Sequence, residues 1–170
     1  LAPYDLVASL AHVRALHRGS IIDSATAEAL TRALKDLADE ISSGKFAPVD
    51  EDEDVHSALE RGLIAKIGEK GGAIRAGRSR NDQVVTAFKL YLMDAMTEIA
   101  DSLSILSTAL LSRAEEHADT IAPGFTHLQH AQPISFGHEL AKHAVSLERD
   151  IDRIQDWLTR TNFSPLGSGA

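Results

Sequence analysis

Two short stretches of this 170-residue sequence hold side chains polar and crowded enough to do chemistry. The first is GRSRNDQV, residues 77–84, which sets Arg78, Ser79, Arg80 and Asn81 side by side ahead of an apolar helical pattern. A helix mouth exposes backbone N–H groups and the positive end of the helix dipole, and guanidinium forks match carboxylates. The stretch therefore has the donors of a carboxylate site. The competing reading is structural: Asp82 caps the helix, and the arginines are solvated or bridge to acidic neighbours. The second stretch is GFTHLQHAQP, residues 124–133, with Thr126, His127, Gln129, His130 and Gln132 between two long helical patterns. Histidine is the side chain best suited to moving protons near neutral pH, and a segment held between rigid helices can fix one in place. Of the eight histidines, His12, His17, His117, His138 and His143 read as structural or exposed. No metal site is expected, because no HExxH occurs and no acidic residue stands at ligand spacing from His127 or His130.

The elements that must position these stretches read as helices. Leu6, Leu10, Val13 and Leu16 recur at helical spacing over residues 3–18, with Pro3 near the start and Gly19 past the end. Asp23 or Ser24 can cap a second helix, whose stripe of Leu30, Leu34, Leu37 and Ile41 ends before Gly44. The acidic run VDEDEDVH, residues 49–56, is either a solvated loop or the N-terminus of a helix carrying Val55, Leu59, Leu63 and Ile67. Gly68, Gly71, Gly72 and Gly77 suggest a flexible connection. From Asp82 to about His117 neither Pro nor Gly interrupts the stripe, which predicts a helix roughly 50 Å long. A loop with Pro123, Gly124 and Pro133 then leads to a second long helix, about Ser135 to Arg160. Its stripe of Leu140, Ala144, Leu147, Ile151, Ile154 and Leu158 advances in steps of 4, 3, 4, 3 and 4, a bundle seam. Almost nothing reads as strand. Two helices of this length exceed what a compact chain of this size needs, so they call for partner helices or partner subunits.

Composition narrows the function. Hydrophobic residues at 44% and charged residues at 25% argue for a folded chain. A net charge of −8 argues against a general nucleic-acid surface, so any anion site is local. With no cysteine there is neither disulfide nor thiolate metal site. No apolar run reaches the length of a membrane span and Leu1 does not open a signal peptide, so a cytoplasmic protein that does not bind membranes is expected. The missing initiator Met points to an excerpt or a processed product. The last stretch, SPLGSGA from Ser164 to Ala170, is loop-like and by composition says little more.

Taken in order, EDVHSALE, GRSRNDQV, GFTHLQHAQP and SPLGSGA, with long helices between them, resemble the argininosuccinate lyases of the fumarase/aspartase superfamily. The resemblance covers essentially the whole chain, and GRSRNDQV separates this family from its relatives better than the shared THLQ does. It implies an all-α protein, a long-helix bundle of the fumarase/aspartase type, of which this chain would hold the first part. Residues 1–78 would belong to the N-terminal helical domain and residues 79–170 to the first long helices of the central bundle. It further implies a homotetramer with active sites built from several subunits. The reaction would be reversible cleavage of argininosuccinate to arginine and fumarate, without metal or organic cofactor.

By position in the family pattern, His127 looks like the acid/base histidine and Thr126 like its substrate-binding neighbour. Asn81 looks like the amide that holds the substrate, Ser79 and Arg80 like residues shaping the same pocket, and Gln129 and His56 like supporting residues. Phe125 stands where the family often has Tyr, with no evident catalytic consequence. The family's N-terminal substrate-binding segment would precede Leu1. Its Gly-Ser-Ser loop, carrying the serine proposed as base, would follow Ala170, so the chain alone is expected to be inactive. Two rivals are other lyases of the superfamily, acting on adenylosuccinate, fumarate or aspartate, and a crystallin-like helical module that assembles without turnover. The first should lack GRSRND.

Overall fold

The computed structural model describes residues 1–169. Five α-helices carry most of them: α1 (Ala2–Arg18), α2 (Ser24–Ser42), α3 (Val55–Ile67), α4 (Arg80–Glu116) and α5 (Phe136–Thr161). The all-α reading of the sequence is what the fold has, and the helix ends follow from local hydrogen bonding. The Asp23 carboxylate accepts the Thr26 N–H at 2.7 Å and starts α2. Asp54 and Ser57 form a capping box, each side chain accepting the other's backbone N–H, at 2.7 and 2.9 Å. The acidic run is thus a helix start, and Asp52 within it takes the Arg61 guanidinium at 2.8 Å. Ser135 caps α5 by accepting the His138 N–H at 3.1 Å. None of these helices is long and apolar enough to cross a membrane.

The structure corrects the sequence reading at two places. Gly68–Arg75 is a 3-10 helix, where a flexible connection was expected. Its buried Gly71 lies so close to α3 that a Cβ there would sit 2.7 Å from the Ile64 nitrogen, so this glycine serves close packing. The segment expected as a loop is a hairpin, β1 (Ile121–Thr126) and β2 (Gln129–Ser135). The strands are antiparallel, with Ile121 opposite Ser135, Thr126 opposite Gln129, and a bulge between Pro123 and Phe125. Pro123 faces Pro133 across the pair. Proline removes a ladder donor, and it is this composition that hides the strands from pattern reading.

The chain forms two compact units: Leu1–Leu92 with the residues from Ser164 onward, and Met93–Phe163. The first holds a core of Leu6, Val13, Leu30, Leu34, Leu37, Leu59, Leu63 and Ile74, with Leu30 and Leu37 wholly enclosed. Each such side chain contributes about 1.5–3 kcal/mol by leaving water. In the second unit the only buried apolar residues among those described are Ala114 and Ala144. Ile99, Ile105, Leu106, Leu111 and Val145 stay exposed there. Apolar faces of this extent are unusual on a lone soluble chain.

Candidate functional site

At the start of α4 the helix mouth is built locally. The Asp82 carboxylate accepts the Ser79 N–H at 2.8 Å, and the Ser79 hydroxyl oxygen accepts the Asn81 N–H at 3.2 Å. These bonds satisfy two of the donors a helix start leaves open and set the turn. Ser79 and Asn81 are exposed, and the Asn81 side-chain amide has no partner among the described residues. It is available to a ligand. The arginines are not equally available. Arg78 donates to the Ser9 hydroxyl at 3.0 Å, lies 3.4 Å from an Asp5 oxygen, and keeps only 6% of its side chain exposed. The sequence reading of Arg78 as a pocket donor is therefore corrected: it is an internal structural cation. Arg80 is half-buried and donates to Gln83 Oε1 at 3.0 Å and Glu60 Oε2 at 3.3 Å, which leaves it at the edge of the turn.

What binds Arg78 is a residue that pattern reading did not single out. Asp5 is fully buried on α1 and accepts hydrogen bonds from Ser9 at 2.9 Å, His56 Nδ1 at 2.8 Å and the Gln83 amide at 2.8 Å. Burial alone would raise its pKa, but the His56 and Ser9 hydrogen bonds and the Arg78 charge outweigh it and hold the carboxyl below its ordinary value. The available signal was a polar pair, Asp5 and Ser9, at helical spacing on the face that also buries Leu6, Val13 and Leu16. His56 is buried beside Asp5, and its Nε2 has no hydrogen-bond partner among the described residues. A cavity of about 10 Å³ lined by His56, Glu60, Arg78, Arg80 and Gln83 adjoins it, close to the space one water needs.

This unit should respond to acid in two stages. His12 lies against the Ala76 carbonyl at 3.0 Å. Burial depresses its pKa and Arg78 adds to that, against the raising effect of the Ala76 hydrogen bond. A base with a depressed folded pKa resists a proton that the unfolded chain accepts. Its contribution is present above the ordinary value of 6.5 and is lost as pH falls through the folded value. Asp5 contributes likewise above its ordinary 3.8 and loses that contribution below it. Urea unfolding of the chain followed by circular dichroism should show stability falling below pH 6.5, and His12→Gln should flatten this upper stage. Equal pH dependence in chain and variant would contradict the assignment.

In the second unit the hairpin presents the histidine. Thr126 and Gln129 pair, so His127 and Leu128 form a two-residue turn with φ of 48° and 62°. Both are left-handed, a conformation that Asn-Gly adopts readily and that costs other residues about 1–3 kcal/mol each. The side chains of Thr126, His127 and Gln129 are exposed and have no hydrogen-bond partner among the described residues. His130 differs, its ring lying 5.0 Å from that of Phe125. An imidazole held on a tight hairpin, with both nitrogens open, can pass a proton to a bound molecule. Ser79, Arg80, Asn81 and His56 belong to the first unit, and Thr126, His127 and Gln129 to the second.

Residues 3–170 match the model of a protein family described as lyase. The argininosuccinate lyase of Frankia casuarinae is 56% identical over 170 residues, covering 100% of this chain and 37% of the relative. The chain thus spans little more than a third of the length of such relatives. Among solved structures, an EDDS lyase in complex with formate has a TM-score of 0.85 at 28% identity, covering 97% of this chain and 32% of that one. A variant of EDDS lyase with bound fumarate has a TM-score of 0.81 at 27% identity, with the same coverage of 97% and 32%.

Proposed function

The chain belongs to this lyase family, and from that premise we propose that it is the part of an argininosuccinate lyase that supplies the acid/base histidine and the carboxylate-holding amide. The observation that carries the proposal is His127, an unpartnered imidazole held in a strained two-residue turn, since such strain persists chiefly where function requires it. The similarity to the Frankia casuarinae enzyme supports the substrate, and the fumarate bound by an EDDS lyase variant supports a small carboxylate ligand.

Cleavage of argininosuccinate removes a proton from the carbon next to a carboxylate and breaks the bond to a guanidino nitrogen. Negative charge builds on that carboxylate in the transition state. The Asn81 amide and the open N–H groups at the start of α4 would stabilise it, with Ser79 and Arg80 shaping the turn. His127 would protonate the departing nitrogen or activate the group that does so, with Thr126 and Gln129 orienting substrate beside it. His56 would support the turn that carries Asn81. The proton-abstracting base lies outside these residues. The exposed apolar faces of α4 and α5 support a helical bundle of several subunits, a homotetramer in the whole cytoplasmic enzyme.

The test is a hybrid in which this chain replaces the matching third of the Frankia casuarinae enzyme. It should assemble as a tetramer and release fumarate, read by absorbance, from argininosuccinate. A folded, assembled hybrid without turnover on argininosuccinate would refute the reading in favour of a crystallin-like module or a lyase for another substrate. In the same hybrid, Asn81→Ala removes one amide from the carboxylate and should weaken productive binding by about 1–3 kcal/mol, read in kcat/KM. Unchanged kinetics would show that the α4 start does not touch substrate.

A further inference from the structure

Four donors from separate parts of the first unit converge on one carboxylate. Ser9 comes from α1, His56 from α3, Arg78 from the segment before α4, and Gln83 from the first turn of α4. Arg78 and Gln83 stand immediately on either side of the residues 79–82 that shape the helix mouth. Arg78 also approaches Asp82 at 3.9 Å, and the other Asp82 oxygen holds the Ser79 N–H. Gln83 in turn accepts from Arg80. The exposed turn is therefore anchored on both flanks to a single charge that is itself fully buried. A carboxylate can only accept hydrogen bonds, so its partner His56 carries a proton on Nδ1.

We propose that Asp5 is a positioning residue for the carboxylate-binding turn: buried away from any ligand, it orients the Asn81 amide through Arg78 and Gln83 and holds the His56 ring by its Nδ1–H. The proposal rests on the functional reading of that turn given above. Removing the charge would release both flanks together and leave the enclosed Arg78 guanidinium with only Asp82, at 3.9 Å, as counter-charge.

The experiment has two arms, both using Asp5→Asn, which keeps the shape but turns half of the acceptor into a donor. In the ¹⁵N-labelled 170-residue chain, amide exchange at Ser79, Asn81 and Gln83 should accelerate about tenfold or more while Leu30, Leu34 and Leu37 keep their protection. Unchanged exchange at the turn, or equal loosening of the core, would overturn the proposal. Should Asp5→Asn fail to fold, Gln83→Ala removes one flank alone and must loosen the same three amides, or the proposal falls. In the hybrid enzyme, Asp5→Asn should lower kcat/KM about tenfold, and should add nothing in an Asn81→Ala background. An unchanged kcat/KM, or additivity with Asn81→Ala, would overturn the role of Asp5. Normal kinetics of Asn81→Ala itself would overturn the reading of the turn on which that role depends.

Discussion

Replacing His127 with Asn in the hybrid enzyme lowers turnover by about 10²-fold or more while folding and assembly persist. Asn tolerates left-handed backbone better than most residues, so the φ of 48° is kept and the turn survives. The side chain is exposed and makes no hydrogen bond among the described residues, so nothing structural is lost with it. What disappears is the titratable proton. His130→Asn is the matched control, because the His130 ring packs against Phe125 on the strand beside the turn. It should leave turnover nearly intact. Activity that survives in His127→Asn and vanishes in His130→Asn would show that the other histidine does the chemistry.

A single methyl at Gly137 should destabilise the second unit by about 3 kcal/mol or more, although alanine is the better helix former. Gly137 lies in the first turn of α5, where a Cβ would sit 2.3 Å from the Ala114 oxygen and 3.0 Å from both the Ala118 Cα and the His117 oxygen. All three are backbone atoms, so no rotamer change can make room. The chain must part, and the Gly137 N–H to His117 bond of 3.0 Å and the Phe136 N–H to Thr120 bond of 2.8 Å would part with it. Those two bonds tie the base of the hairpin that carries His127. Thermal unfolding of Gly137→Ala against Gly72→Ala measures the effect, since a Cβ at Gly72 meets nothing within 4 Å. Equal midpoints for the two variants would contradict the close approach.

The helices and most of their ends were legible in the sequence because their causes are local. Asp23, Asp54 and Ser135 each accept an N–H from three residues onward, and a stripe every third or fourth residue marks the face that leaves water. The density of GRSRND and of THLQ was legible for the same reason. The family resemblance of those motifs is matched by the lyase model over residues 3–170.

Other features appear only in the folded chain. A pair of short strands that set Pro123 opposite Pro133 carries too little alternation to be read as a hairpin. The close approaches at Gly71 and Gly137 look, in sequence, like flexibility or chance. Arg78 reads as a surface donor until Asp5, 73 residues away in the chain, is folded against it. A buried charge is tolerable only when distant residues bring it partners, and no single stretch of sequence names residues that lie so far from it. Local hydrogen bonds and periodic apolar faces set the elements of this protein. Burial of Asp5 with its four donors is decided only by the tertiary structure, because a carboxylate leaves water only where several donors replace it.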